Sequence, residues 1–274
     1  MKRLLSCFIL CVFLLGAFST VSSASGVGVN VYINNEAFAG TVAIKDQATF
    51  VGVRKFVNQV APNAKVTYSY STRTLTIQSS KLYMTVTDGY NYIIANGRYL
   101  YTESPIYMRY GVMYAPVVLL AKALDAKISW SNSSSSFNVT RGSGGILSGE
   151  RFYREDEVYW LSKIINAESG GEILKGKIAV GNVILNRVRS NQFPNTIYGV
   201  IFDRKYGTQF SPVDNGAIYK SPNAQSIIAA KICLEGYSVN TGILYFVNPR
   251  VSPSNWITKN RAYFGKIGNH AFYY

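Results

Sequence analysis

Residues 156–171 read DEVYWLSKIINAESGG, and here the chain changes from the periodicity of strands to that of a helix. The apolar residues of this stretch recur at the spacing of one helical face: Val158, Leu161, Ile164 and Ile165. Glu168 comes seven residues after Leu161 and therefore continues the apolar face. Gly170-Gly171 predicts the end of the helix.

Residues 27–140, by contrast, show the alternation typical of half-buried strands. Alternating apolar residues include Val29, Val31, Ile33, Val66, Tyr68, Leu75, Ile77, Leu82, Met84 and Val86. Asn96-Gly97 separates two such strands and predicts a hairpin turn, because both positions tolerate positive φ.

The strand-rich region also repeats itself. Residues 64–68 (AKVTY) correspond to 126–130 (AKISW), and residues 50–53 (FVGV) correspond to the strand at 113–117 (MYAPV). Each copy reads as a strand, a short helix and a hairpin. The region contains no His and no Cys, so the sequence predicts no metal site in it.

After residue 140 the chain predicts a Gly/Ser-rich linker over 141–152, which we expect to be flexible. A helix is predicted over 174–189, with Gly181 allowing close contact with another helix. Ser221-Pro222 predicts the cap of a third helix that reaches about Glu235. The remainder to residue 274 is expected to be aromatic and loop-rich. The fold class is therefore a two-domain α+β protein, with a β-rich repeated module before a mostly helical domain at 153–274.

The N-terminus predicts export. A basic start, Met1-Lys2-Arg3, precedes an apolar block and a small-residue stretch that ends at Ala24. This order is typical of a secretory signal peptide over 1–24. The alternative, a membrane-spanning helix, needs roughly 20 apolar residues, and the block is shorter. We therefore expect no stable membrane span after removal of the signal.

Charge and cysteine content limit the function classes. The chain has 28 Lys and Arg against 14 Asp and Glu, a formal charge of +14, which attracts polyanions. No zinc-finger spacing or helix-turn-helix pattern indicates nucleic-acid reading, so export favours anionic wall polymers as partners. Only Cys233 remains after signal removal, and on a helix it is typical of a buried small hydrophobe.

Glu168 is the candidate for chemistry. A carboxylate at the end of an apolar helical face is partly desolvated, which raises its pKa. A carboxylic acid protonated near neutral pH is what cleavage of a glycosidic bond requires. The alternative is a glutamate that emerges into solvent or a structural ion pair at the helix end.

The C-terminal motifs resemble the catalytic domain of the spore cortex-lytic enzymes, a cell wall hydrolase family. The resemblance covers nearly all of 157–274 and lies in separated blocks that keep their order: INAESGGE at 165–172, GKIAVGNVILNRV at 176–188, FPNTI at 193–197, QFSPV at 209–213 and IGNHAFY at 267–273. Residues 27–140 resemble the copper-amine-oxidase-like N-terminal domain, which implies an accessory or binding role; a mere spacer is the alternative.

The cell wall hydrolase resemblance implies a domain related to lysozymes and lytic transglycosylases. Its substrate would be the glycan strand of peptidoglycan, cut between N-acetylmuramic acid and N-acetylglucosamine. Glu168 maps to the acid–base residue of the family. Glu172, one turn later, is expected to be a supporting group, and the alternative is a helix-start charge favoured by the dipole of the second helix. No cofactor or metal is implied. The location implied is secreted, in the cell wall or spore envelope, and the sequence leaves open a protein partner that controls the enzyme.

Further residues are candidates for substrate binding. Gln209, Ser211 and Asn215 are placed to bond sugar hydroxyls, with loop capping as the alternative. His270 is the only histidine; it cannot build a zinc site alone, and a structural role is the alternative. Aromatic residues offer a stacking wall, with packing in the core as the alternative: Tyr206, Phe210, Tyr245, Trp256 and Tyr263.

Two functional hypotheses follow from the sequence. The first is a lytic enzyme acting through Glu168, with the transglycosylase route preferred because few carboxylates are placed to serve as a second catalytic group. The second is a non-catalytic wall-binding or assembly protein whose domain only grips glycan. An amidase that cuts the peptide stem is disfavoured because its zinc ligands are absent from the sequence.

Overall fold

The structure, a computed structural model, describes residues 28–205, 207–251 and 256–274. The predicted signal peptide lies outside these ranges, as does Tyr206. None of the helices found within them is long and apolar enough to cross a membrane.

Strands make up most of the N-terminal domain. They are β1 (Asn30–Ile33), β2 (Glu36–Ala37), β3 (Val42–Lys45), β4 (Ala48–Gly52), β5 (Lys65–Ser69), β6 (Thr74–Gln78), β7 (Tyr83–Thr87), β8 (Tyr92–Ala95), β9 (Arg98–Tyr101), β10 (Tyr107–Arg109), β11 (Val112–Pro116), β12 (Lys127–Ser131) and β13 (Ser136–Thr140). Two short helices, α1 (Val53–Val60) and α2 (Val117–Ala123), follow β4 and β11. Because the strands carry apolar residues on alternate positions, one face of each sheet closes over a common core.

The strands form three sheets, ordered β12-β13-β1-β2, β10-β11-β4-β3 and β5-β6-β7-β8-β9. The predicted repeat is confirmed: β5–β6 and β12–β13 are equivalent antiparallel hairpins, and β4–α1 matches β11–α2. The equivalent strands β4 and β11 pair with each other, which joins the two copies. Asn96 and Gly97 form the predicted turn, with φ of 51° and 78°.

The segment 141–152 is not the flexible linker that its composition predicts. Ile146 is buried in the N-terminal core, and the Asn96 side chain donates to its carbonyl at 2.7 Å. A Cβ on Gly142 or Gly145 would meet a backbone oxygen at 1.6 or 2.3 Å. The glycines therefore allow the segment to press against the domain before helix α3 (Gly149–Phe152).

Helices form most of the C-terminal domain. They are α4 (Glu155–Ser169), α5 (Leu174–Arg189), α6 (Ile197–Ile201), α7 (Ser211–Asp214), α8 (Ala224–Leu234) and α9 (Trp256–Asn260), with a 3-10 turn at Ala217–Tyr219. The predicted helices α4 and α5 are confirmed. The predicted start of α8 is wrong: its cap is Asn223, whose side chain accepts from the Ser226 backbone at 2.8 Å, and Pro222 precedes the helix.

The last part of the chain contains a sheet where the sequence predicted loops. Strands β14 (Tyr245–Val247), β15 (Tyr263–Ile267) and β16 (His270–Tyr273) pair in the order β14-β16-β15. The aromatic residues of these strands obscured the alternation of apolar and polar residues in the sequence. They pack on both faces of the sheet.

Helices α4, α5 and α8 form the centre of the domain. A Cβ on Gly181 would lie 2.7 Å from the Cys233 sulfur and 2.8 Å from an Ile165 carbon. The prediction that Gly181 allows close helix contact is confirmed. Cys233 is buried, as its position on a helix predicted, and burial raises the pKa of its thiol.

The two domains meet at a buried ion-pair cluster around Glu235, the residue that caps α8. Its carboxylate accepts two hydrogen bonds from Arg98, each of 2.7 Å, and one of 2.8 Å from the Tyr153 hydroxyl. Lys122 lies 3.0 Å away. Burial raises the pKa of Glu235, but its three donors outweigh that effect and hold the pKa below its usual value. The contact surface around this cluster also includes Glu103, which bonds Lys175 at 2.8 Å and the Tyr237 hydroxyl.

Candidate active site

Glu168 lies one residue before the end of α4. Leu161, Ile164 and Ile165 on the preceding turns are fully buried, because α5 and α8 cover that face. Glu168 continues the face at the point where the covering ends, so its side chain is only partly exposed. The Glu168 carboxylate therefore lies at the boundary between the core and the protein surface.

The surroundings of Glu168 favour its protonated form. Among the described residues its carboxylate makes no hydrogen bond or ion pair. Burial raises the pKa of Glu168 to about 7, and the Arg187 guanidinium acts in the opposite direction. A side chain with this pKa can both donate and accept a proton near neutral pH.

Lys177 holds the backbone that follows Glu168. It is fully buried on α5, and its ammonium donates to the carbonyls of Ser169, Gly170 and Glu172 at 2.8, 2.8 and 2.7 Å. These are the orphan carbonyls at and just after the end of α4, where a cation is also favoured by the helix dipole. Sequence reasoning did not single out this residue; the signal was a lysine within the buried run 176–187.

A second contact fixes the same helix end from α8. Asn166 accepts from the Asn223 backbone at 3.0 Å and from the Ser226 hydroxyl at 3.3 Å. The Asn223 side chain donates in return to the Gly170 carbonyl at 3.2 Å. The position of Glu168 is therefore determined by both neighbouring helices.

Arg187 interacts electrostatically with Glu168 and lines a cleft, although Glu168 is not itself one of the lining residues. It is buried at the end of α5 and donates to the Leu244 carbonyl at 2.8 Å and to Gln209 at 3.4 Å. Three rings lie 4.7 to 5.3 Å from its guanidinium: Phe193, Phe210 and Tyr245. Burial lowers the pKa of Arg187 to about 10, so it stays charged. The sequence did not predict a role for Arg187, although a charged residue on the buried face of α5 was a signal for one.

The cleft has a volume of about 750 Å³ and combines rings with positive charge. Arg261 lies over the rings of Tyr245 and Trp256, at 4.4 and 4.9 Å. Its Nε is buried without a hydrogen-bond partner among the described residues. The charged residues that line the cleft are Arg187, Asp203, Lys205 and Arg261. Rings and excess cations suit a polar, anionic ligand with apolar faces.

Some of the predicted substrate-binding residues line the cleft, and others do not. Gln209, Tyr245 and Trp256 line the cleft. Phe210 is buried in the core and provides one of the rings around Arg187. Ser211 begins α7, and Asn215 accepts from the Ala217 backbone at 2.9 Å, which is the loop-capping alternative for this residue.

Glu172 and His270 make contacts within the fold. Both oxygens of Glu172 are bonded by Asn269, at 3.0 and 2.8 Å, and a Cβ on Gly268 would lie 2.0 Å from one of them. Burial raises the pKa of Glu172, and the bonds from Asn269 more than compensate, so the pKa is lowered. His270 is buried beside this carboxylate, with its Nδ1 at 3.8 Å, and burial lowers its pKa. The pair attaches the β15–β16 hairpin to the start of α5.

Asp214 and Tyr263 are not among the residues that line the cleft. Asp214 is exposed and bonds Arg204 and Thr208, at 3.2 and 3.1 Å. Tyr263 is 60% exposed on β15 and does not line the cleft. Within the described ranges, no group of three His, Cys, Asp or Glu side chains is placed to hold a metal ion.

Comparison with known families assigns both domains. Residues 31–139 match the copper amine oxidase N-terminal domain, and residues 171–273 match the family described as cell wall hydrolase. Over residues 171–273 the C-terminal domain is similar to cell wall hydrolases. Both resemblances seen in the sequence are thereby confirmed. The match to the cell wall hydrolase family begins three residues after Glu168 and therefore does not include it. The assignment of a role to Glu168 rests on the surroundings of this residue.

Several known proteins are similar in sequence to the C-terminal part of this chain. The chain is 38% identical over 120 residues to a spore cortex-lytic enzyme of Bacillus cereus, covering 44% of this chain and 45% of the relative. A spore cortex-lytic enzyme of Oceanobacillus iheyensis is 33% identical, with 44% and 42% covered. The chain thus spans less than half of these curated relatives. A solved catalytic domain of the germination-specific lytic transglycosylase SleB from Bacillus anthracis is 36% identical, with 47% and 100% covered and a TM-score of 0.41.

Proposed function

We propose that this chain is an exported lytic enzyme of peptidoglycan, with Glu168 as its acid–base residue. It cuts the glycan strand between N-acetylmuramic acid and N-acetylglucosamine. The observation that carries the proposal is a carboxyl with no hydrogen-bond partner among the described residues, whose pKa is raised to about 7 and which interacts with Arg187, a residue that lines a cleft of rings and cations. The spore cortex-lytic relatives favour the spore envelope as the place of action.

The reaction needs a single carboxyl group. Protonated Glu168 gives its proton to the glycosidic oxygen as the bond to the muramic acid carbon breaks, and Arg187 stabilises the carboxylate that forms. The 6-hydroxyl of the same muramic acid then attacks that carbon and gives its proton back to Glu168. The products are a 1,6-anhydromuramic end and a free glucosamine hydroxyl, and the enzyme is regenerated.

The alternative chemistry requires a second carboxylate about 5 Å from the acid for retention, or further away for inversion. Asp203 lines the cleft, where it accepts from the Lys205 backbone at 2.9 Å, and Asp214 faces solvent with Arg204. We therefore expect anhydro products, and near-normal cleavage in Asp214→Asn.

The test is mass spectrometry of the fragments released from purified cortex sacculi. Glu168→Gln keeps the shape of the side chain but cannot exchange the proton, so release should fall by about 10²–10⁴. Glu155→Gln, an exposed carboxylate on the same helix, is the matched control and should cleave normally. Normal release by Glu168→Gln would remove the assignment. Fragments with ordinary reducing ends, together with loss of activity in Asp203→Asn or Asp214→Asn, would indicate a two-carboxylate hydrolase.

A further inference from the structure

The N-terminal domain has an open groove that the proposed reaction does not use. Its volume is about 640 Å³. Its walls come from the loop before β3, the exposed face of α1, the end of β5 and the turn between β10 and β11. Because these elements belong to both copies of the repeat, the groove forms only when the whole domain folds.

One wall of the groove is an exposed pair of aromatic rings. Tyr70 is 87% exposed and packs edge-on against Tyr68, with the ring centres 4.8 Å apart. The Tyr68 hydroxyl lies 3.7 Å from the Met108 sulfur, which orients the pair. A tyrosine ring this exposed presents an apolar face with a polar tip, a surface suited to stacking against a sugar ring.

The opposite wall is positively charged. Arg54 and Lys55 on α1 are exposed, and neither makes an ion pair with a described residue. One guanidinium nitrogen of Arg54 donates to the Val66 carbonyl at 2.7 Å, which holds the remaining donors at the groove. Among the described residues no acidic side chain lines it, so the groove favours an anion.

We propose that this groove binds a carboxylate-bearing saccharide, with a sugar ring on Tyr70 and a carboxylate at Arg54 and Lys55. The choice of the peptide-bearing glycan as occupant rests on the proposed function, whereas the groove itself does not depend on Glu168. A poly(alditol phosphate) would satisfy the cations but would leave the Tyr70 ring face uncovered, so the combination favours a sugar.

The interface between the domains makes this groove useful to the enzyme. The Glu235 cluster bonds the two domains to each other, so a polymer held in the groove stays near the cleft. Binding one part of the polymer in the groove raises the effective concentration of the rest at the cleft. The groove thus acts as an anchoring site for the same insoluble substrate.

The test uses the full chain and a soluble probe, the reduced disaccharide tetrapeptide of peptidoglycan. This probe contains carboxylates but no bond between muramic acid and a following glucosamine, so the proposed activity does not consume it. Chemical-shift changes at the amides of Gly40, Gly52 and Gly111, which line the groove, report binding there. Chitotetraose, a neutral oligosaccharide, is the comparison ligand.

The variant is Lys55→Ala with Tyr70→Ala, and the matched control is Lys81→Ala with Tyr83→Ala. Tyr83 lies on the same sheet but pairs with Gln78, at the end opposite to Ser69 and Thr74. We expect the variant to raise the dissociation constant of the probe about tenfold and to reduce retention on sacculi, while the control binds normally.

Other outcomes separate the alternatives. Unchanged probe binding in the variant, or equally tight binding of chitotetraose, would overturn the proposal. Retention on sacculi that is lost both in the variant and after hydrofluoric acid removes the phosphate polymers would assign the groove to those polymers instead. Loss of cleavage in Glu168→Gln tests the proposed function separately, because the soluble probe measures binding alone.

Discussion

At the scale of single residues, the raised pKa of Glu168 has a cost in stability. The pKa is about 7 in the fold against an ordinary 4.5, so between these values the native state holds a proton that the unfolded state has lost. Stability from this group is complete below about pH 4.5 and is lost as the pH rises through about 7.

Glu168→Gln cannot titrate and should therefore gain stability relative to the wild type as the pH rises. We expect the two proteins to unfold alike at pH 4.5, and the variant to be more stable at pH 8 by at most about 3 kcal/mol. Urea unfolding at both pH values measures the difference. A constant difference across this window would show that the carboxyl has an ordinary pKa.

At the same scale, the charge of Arg187 counteracts the effect of burial on the pKa of Glu168. Replacing it with Met removes the positive charge, so the pKa of Glu168 should rise further and the alkaline limb of the pH–rate profile should move to higher pH. Arg187→Lys retains the charge and should leave the limb near the wild-type position, even where lost bonds to Leu244 and Gln209 lower the rate. An identical limb in Arg187→Met would mean that the guanidinium does not influence the acid.

At the scale of elements, the end of α4 depends on Lys177. Lys177→Met would leave the Ser169 and Glu172 carbonyls without the lysine donor, while Gly170 would keep only the bond from Asn223. We expect a loss of about 3 kcal/mol in the free energy of unfolding, with weaker cleavage as Glu168 shifts. Lys175→Met removes a lysine two residues away that is paired with exposed Glu103, and it should cost less than about 1 kcal/mol. Equal losses in the two variants would show that Lys177 is not a cap.

At the scale of the whole molecule, the Glu235 cluster joins the domains. Glu235→Gln leaves Arg98 buried without its counter-charge, so we expect the full chain to lose about 3–5 kcal/mol. Glu103→Gln, which breaks a pair at the exposed margin of the same interface, should lose less than about 1 kcal/mol. Guanidine unfolding followed by tryptophan fluorescence measures both.

The same interface affects how residues from about 150 onward behave when they are isolated from the N-terminal domain. Tyr92, Tyr99 and Tyr101 of the N-terminal domain pack against the C-terminal core, so the isolated part would expose that surface. We expect it to fold and cleave with a lower free energy of unfolding than the full chain. If the isolated part were inert while the full chain is active, the two halves would share the site.

The sequence by itself determined the features that depend on neighbours along the chain. Helices α4 and α5, the turn at Asn96-Gly97, the repeat and the placement of Glu168 at the end of an apolar face all follow from periodicity and turn chemistry. The raised pKa of Glu168 was predictable for the same reason, because its desolvation comes from the face on which it lies.

Only the tertiary structure decided the contacts between distant segments. Periodicity did not show that Lys177 folds back onto the carbonyls at the end of α4. Nor did it show that Arg187 is met by Leu244 and by the rings of Phe210 and Tyr245 from later in the chain. The sequence placed Glu235 at the end of a predicted helix, and it placed the glycines at 142 and 145 in a predicted flexible linker. Glu235 is bonded by Arg98 of the other domain, 137 residues away, whereas the two glycines lie against the backbone of Asp125 and Lys81 within the N-terminal domain. Periodicity carries no information about either kind of contact.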